Sequence, residues 1–235
     1  TYLISALFTK YPCAMKTLFF IQNGSPFFNI SNENNHTLKL RNFTKMNYLA
    51  HSLLAGKNAE LLLGNFIADH VRGNDLSSYP EGVQQGIRMH RKIDAFTDNH
   101  PSFKQSKRIF YSGFEKHSGI LVDIYFDHLL ASEFDRYSAI SLQEHNSFVY
   151  RIYDEGRKYL PKHSERFLEY VVENNIYHAY STLEGIERVL FHLSQRIKHG
   201  VALNESISDF KKNKEAMCVS FRNFFTDAMC AFVVK

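Results

Sequence analysis

The stretch that most constrains this chain is GILVDIYFDHLL, residues 119–130. It is apolar nearly all round, and a helix without a polar face belongs inside a protein rather than on its surface. Its polar exceptions are Asp123, Asp127 and His128. Asp123 and Asp127 are four residues apart and therefore share a helix face. No cationic residue lies beside them on that helix. Buried carboxylates of this kind require a cation from elsewhere, either an arginine or a divalent metal.

The remaining helix signals lead to the same class. Asn58 can cap a helix running to Val71 and ended by Gly73. Pro80 suits the first turn of a helix reaching about Asn99, with Pro101 as its stop. A further helix is expected from Ser102 to Lys116. Ser141 with Glu144, and Ser181 with Glu184, read as capping boxes. Pro161 is expected to close the first of those helices, and Ser164 to start another. A last amphipathic helix is expected from Glu205 to Val233. Strand alternation is weak and hairpin dipeptides are scarce. The predicted fold is all-α, a single multi-helix domain over residues 46–235.

Residues 1–45 differ from the rest, being rich in Asn and Phe, poor in acids and without sustained periodicity. They are expected to form a poorly ordered extension, with Met46 as the natural start. The formal charge of +4 arises there: this segment holds five Lys/Arg and one acid, leaving 23 bases and 23 acids in the body. The basic balance therefore gives no reason to expect nucleic-acid binding. No apolar run reaches the roughly 18–20 residues of a membrane span. The three cysteines lack metal or disulfide spacing and fit a reducing compartment, the cytoplasm.

Two other segments turn polar residues inward. In IRMHRKIDAFTDNHP, residues 87–101, His90, Asp94 and Asp98 recur at every fourth position. On a helical wheel Gln84, Gln85, Arg88, Arg91 and Lys92 form the polar face. His90 lies opposite them among Val83, Ile87 and Ile93, with Asp94 beside it. Asp98 drifts towards the polar edge. In NAELLLGNFIADHVRGN, Asn65 and Asp69 share a face, Arg72 follows one turn on, and Gly64 permits close helix approach. His51 sits on a fourth apolar segment and alone reads as a core histidine. Mixed His/Asp ligation suits Mn²⁺, Fe²⁺, Zn²⁺ or Mg²⁺. Such a centre activates water and polarises a phosphoryl oxygen, while arginines such as Arg72 and Arg91 suit phosphate oxygens. No P-loop, nucleophile elbow or dinucleotide fingerprint competes.

MNYLAH (46–51), GNFIADHVRGN (64–74), GIRMHRKIDAFTDNHP (86–101) and VDIYFDHLLA (122–131), in this order and spacing, resemble the bacterial acyl carrier protein phosphodiesterases. The resemblance implies a metal-dependent hydrolase, typically helped by Mn²⁺, with Mg²⁺ or Fe²⁺ as alternatives. Its substrate is the phosphodiester joining 4′-phosphopantetheine to a serine of holo-acyl carrier protein. The family is regarded as a divergent, all-α relative of the HD phosphohydrolases, although no adjacent His-Asp pair occurs here. Asp69 matches the family's motif aspartate, and Arg72, His90, Asp94, Asp123, Asp127 and His128 fall on its other motif positions. On this basis Asp69, His90, Asp94 and Asp127 are expected to hold the metal. Arg72 and Arg91 are expected to offset developing charge, and His128 or His51 to protonate the departing serine oxygen. Arg88, Arg91 and Lys92, with Lys104, Lys107 and Arg108, are candidate docking residues for an acidic carrier protein. A phosphohydrolase acting on nucleotides or other small phosphodiesters, and a non-catalytic carrier-binding module, are the alternatives.

Overall fold

A run of twelve buried residues in one helix, Ile120 to Ala131, lies in the core of the described residues. This helix is α6 (Ser118–Ser132), buried as its sequence requires. The computed structural model describes residues 47–197 and 200–233. The expected extension, residues 1–45, lies outside the described residues. The elements before α6 are α1 (Tyr48–Leu54), α2 (Ala59–Ile67), α3 (Glu81–Asn99), α4 (Pro101–Lys107) and α5 (Tyr111–Phe114). Those after it are α7 (Leu142–Glu155), α8 (Lys162–Glu173), α9 (Ile176–Ala179), α10 (Leu183–Ser194), α11 (Ile207–Lys212) and α12 (Lys214–Phe232). The described residues contain helices, turns and loops and no strand. No described helix is long and apolar enough to cross a membrane.

Helices α1, α4, α10 and α12 pack around α6. Tyr125 of α6 stacks between Phe110 and Phe210, with ring centroids 5.4 and 4.3 Å away. The start of α1 is tied to α6 by a long-range cap. Asn47 makes no side-chain cap, and the backbone N–H groups of Leu49 and Ala50 instead donate to the two oxygens of Asp127, both at 2.9 Å. The first N–H groups of a helix have no partner within it, so a carboxylate supplied by another helix satisfies them. Ser52 of α1 also meets His145 of α7, Oγ to Nε2 at 2.8 Å.

Among the described helices α2 and α3 share the most extensive contact. A Cβ on Gly64 would fall on the carbonyl oxygen of Val83, and one on Gly86 would fall on that of Leu61. The two glycines therefore let the backbones approach until Gly64 and Gly86 face each other. Asn65 and Asp69, which follow Gly64, are thereby set against His90 and Asp94 of α3.

Several helix boundaries differ from the sequence expectation. α2 keeps Asn58 as its N-cap, which accepts from Leu61 N–H at 3.0 Å, but ends at Ile67. A 3₁₀ turn, Ala68–His70, carries Asp69. α3 does end at Asn99, ahead of Pro101 as expected, and Pro101 in addition takes the first turn of α4, which His100 caps. The expected helix from Ser102 to Lys116 is broken by two 3₁₀ turns, Arg108–Phe110 and Glu115–His117. The Ser141–Glu144 capping box is present. The second cap is instead Thr182, whose hydroxyl accepts from Gly185 N–H. Pro161 begins α8 rather than closing α7, because its fixed φ suits a helix start. The last expected helix divides at Asn213 into α11 and α12.

Gly64→Ala is expected to destabilise the protein by at least about 1–3 kcal/mol, because backbone atoms rather than a flexible side chain occupy the space. Denaturant unfolding measures this, and unchanged stability would show that the α2–α3 contact has slack.

Candidate metal centre

Four helical segments bring polar side chains to one buried point. His51 comes from α1, Asn65 from α2, Asp69 from the 3₁₀ turn after it, and His90 with Asp94 from α3. One ligand atom from each of His51, His90 and Asp94 lies within 4.8 Å of the others. His51 Nε2 is 3.5 Å from Asp94 Oδ1, and His90 Nε2 is 3.4 Å from Asp94 Oδ2. Asp69 extends the group, with Oδ1 3.2 Å from His90 Nε2. The two imidazoles lie 4.2 Å apart between centroids. Their side chains are 3% exposed, whereas those of Asp69 and Asp94 are 18% exposed. The carboxylates therefore form the solvent side of the cluster and the rings its back.

Tyr48 donates its hydroxyl to Asp69 Oδ2 at 3.0 Å. Burial, followed by the charge of Asp69, raises the Tyr48 pKa well above its ordinary value, so the phenol stays a donor. Burial alone would lower the His90 pKa. Hydrogen bonds to Asp69 and Asp94, together with their charges, outweigh it and raise the pKa to about 9. Burial and the neighbouring His90 lower the pKa of His51. Burial alone would raise the pKa of both carboxyl groups, but the histidines outweigh it. His90 holds Asp69 below its ordinary value, and His51 and His90 hold Asp94 well below. Asp69 and Asp94 are thus ionised, and a positive charge between them and the rings is favoured. Without a metal a proton on His90 supplies it. The imidazole nitrogens and carboxylate oxygens also form a donor set suited to a divalent cation.

The other expected site residues fall elsewhere. Asp127 does not join the cluster, because both of its oxygens cap α1. Burial pushes its pKa up to about 8, and the two N–H bonds oppose the rise. His128 does not join either: it is buried, with Nδ1 2.7 Å from the carbonyl oxygen of Tyr180 and its ring edge against Phe210. Asp123 is buried on α6, and Asp98 is exposed near the end of α3. Arg91 is turned to the loop after Asp69 rather than to the cluster. It donates to the carbonyl oxygens of Val71 and Gly73, at 3.3 and 2.7 Å, and to Asn74 Oδ1 at 3.2 Å. Gly73, with φ of +76°, allows the chain to turn there. Arg72 lies exposed on the loop that Arg91 holds. Arg88, Lys92, Lys104 and Arg108 are exposed, and Lys107 is half-buried.

Three members of the cluster were not expected as metal ligands from the sequence. His51 was read alone as a core histidine and, beside His128, as a candidate proton donor, Asn65 only as a neighbour of Asp69 on one face, and Tyr48 not at all. His51 and Tyr48 both lie in the MNYLAH motif, which was the available signal.

Fold and cluster together define the class: an all-α protein with a buried His/Asp centre able to hold a divalent cation. A family model described as acyl carrier protein phosphodiesterase matches residues 46–228. Three similar proteins bear the same name. The one from Enterobacter sp. (strain 638) is 34% identical over 188 residues, covering 78% of this chain and 96% of that protein. The one from Photorhabdus laumondii is 31% identical, covering 77% and 91%, and one from Escherichia coli is 32% identical, covering 78% and 96%. No solved structure matches the chain. The chain belongs to the acyl carrier protein phosphodiesterase family.

Asp127→Ala leaves two buried N–H groups without an acceptor and is expected to cost about 2 kcal/mol or more. Divalent-metal affinity of the folded variant, measured by calorimetry, should fall by less than about tenfold, through the loosened hold on the helix that carries His51, whereas loss of a ligand would cost far more. The protonation of His90 sets a pH dependence. Its pKa is raised from 6.5 to about 9, so its stabilising contribution is full below 6.5 and lost as pH rises through about 9. Asp127, raised from 3.8 to about 8, acts in the same direction over its own window. The melting temperature of chelator-treated protein should therefore fall between about pH 6.5 and 9. A rise over that window would contradict the assignment.

Proposed function

We propose that this chain hydrolyses the phosphodiester joining 4′-phosphopantetheine to a serine of holo-acyl carrier protein, releasing apo-carrier protein and 4′-phosphopantetheine. Membership of the family supports the substrate. The observation that carries the chemistry is the face-to-face arrangement of two imidazole Nε2 atoms and the Asp69 and Asp94 carboxylates. We assign His51, His90, Asp69 and Asp94 as the residues that would hold a divalent cation, with Mn²⁺ favoured and Mg²⁺ or Fe²⁺ as alternatives. When bound, such a cation supplies a water of lowered pKa and polarises the phosphoryl oxygen.

The chain's own residues have separable parts in this reading. Asp69 and Asp94, on the solvent side, would hold the cation where the phosphodiester group arrives. Tyr48 holds Asp69 through its hydroxyl. Arg72, exposed one turn beyond Asp69, pairs with the non-bridging phosphate oxygens through its planar fork. Arg91 holds the Arg72 loop by its carbonyl groups. The buried face of the two rings keeps bulk water from the back of the site. The exposed bases on α3 and α4 are the proposed approach for an acidic carrier protein. The same reading keeps the fold as a divergent relative of the HD phosphohydrolases and the protein in the cytoplasm.

Holo-carrier protein incubated with this protein and Mn²⁺ should lose the mass of phosphopantetheine, and a panel of nucleotides and small phosphodiesters should remain intact. Asp69→Ala should retain its helical signal while kcat/KM falls at least about a hundredfold, the scale of losing one transition-state-stabilising group. Unchanged carrier mass with folded wild-type protein would overturn the proposal.

A further inference from the structure

Asn65 touches both histidines. It lies on α2 and is 1% exposed. Its Oδ1 is 2.7 Å from His51 Nδ1 on α1 and 3.1 Å from His90 Nδ1 on α3. A carboxamide oxygen has two lone pairs and no hydrogen, so both contacts require Nδ1–H donors. A neutral imidazole carries one N–H, and if it is on Nδ1 then Nε2 presents a lone pair. Those Nε2 atoms are the ones directed at Asp94 and Asp69.

We propose that Asn65 is the positioning residue of the centre: its one carboxamide oxygen accepts from both imidazoles and so directs both Nε2 atoms to the same point. This rests on reading the cluster as a metal centre. Ring nitrogens that bind a metal commonly donate their other N–H to an oxygen, which fixes tautomer and orientation. Here one oxygen does so for two ligands from two helices. The reverse orientation of the amide would present hydrogens to both Nδ1 atoms, move the ring hydrogens to Nε2 and close the point to a cation. Asn65 Nδ2 is buried without a hydrogen-bond partner among the described residues. An orphaned buried donor is costly, and an apolar residue would avoid it. The oxygen is the part of Asn65 that has work to do. Gly64, beside it, brings α2 close enough to α3 for that oxygen to reach His90.

The test uses three proteins: wild type, Asn65→Leu, which removes the acceptor, and Asn65→Asp, which keeps it. Mn²⁺ affinity is measured by calorimetry on each, with helicity as the check on folding. Asn65→Leu should bind Mn²⁺ about 10–100-fold more weakly, the scale for losing such an outer partner. Asn65→Asp should stay within about threefold of wild type or bind more tightly, since a carboxylate accepts from both rings. Long-range proton–nitrogen NMR of the metal-free proteins reads the His51 tautomer directly. Wild type and Asn65→Asp should carry the hydrogen on Nδ1, and Asn65→Leu should release it to Nε2. Wild-type His51 with its hydrogen on Nε2 would overturn the proposal even if the Leu variant does not fold. Equal Mn²⁺ affinity in a folded Leu variant would also overturn it. Wild type that binds no Mn²⁺ at all would sink the metal reading instead, and the tautomer would still decide whether Asn65 orients the rings.

Discussion

The site depends on how closely α2 approaches α3. Gly64 and Gly86 meet where any Cβ would strike the opposite backbone. That contact sets the register of Asn65 and Asp69 against His90 and Asp94. Glycine inside a helix costs about 1 kcal/mol in helix propensity relative to alanine. Here the loss is offset by a packing distance that no other residue permits. The cap of α1 by Asp127 is the second constraint, because it fixes the helix that carries Tyr48 and His51.

Inward-facing carboxylates in this protein do two kinds of work, and their surroundings separate them. Asp69 and Asp94 face imidazoles and stay ionised, with lowered pKa values. Asp127 faces two backbone N–H groups in a wholly buried place, and burial raises its pKa. Both environments satisfy the rule that a wholly or largely buried acid needs partners. The first offers ligand atoms to a cation. The second has both oxygens committed to holding a helix. The motif aspartates of the sequence are therefore not equivalent.

Much of the fold was legible because burial leaves a periodic trace. The unbroken apolar run of α6, the inward side of α3 and the Ser141 capping box are local patterns, and the structure has them. The inward placement of His90 with Asp94 was read from the same periodicity. Helix breaks were less legible, since Asp69 lies on a 3₁₀ turn and α11 and α12 divide at Asn213. Such ends depend on tertiary packing, which local propensity does not encode.

The sequence by itself determined that the protein is helical, that α6 is buried, and that His90, Asp94 and Asp69 sit on motifs of one family. Those conclusions follow from side-chain periodicity and from the order of four short motifs. Only the tertiary structure decided which inward-facing acids meet the histidines. It assigned Asp127 to a helix cap, turned Arg91 to a loop, and brought His51, Tyr48 and Asn65 to the cluster. The reason is geometric: partners on different helices have no fixed sequence separation, and their meeting is set by the close backbone contact of α2 with α3 and by the cap that holds α1.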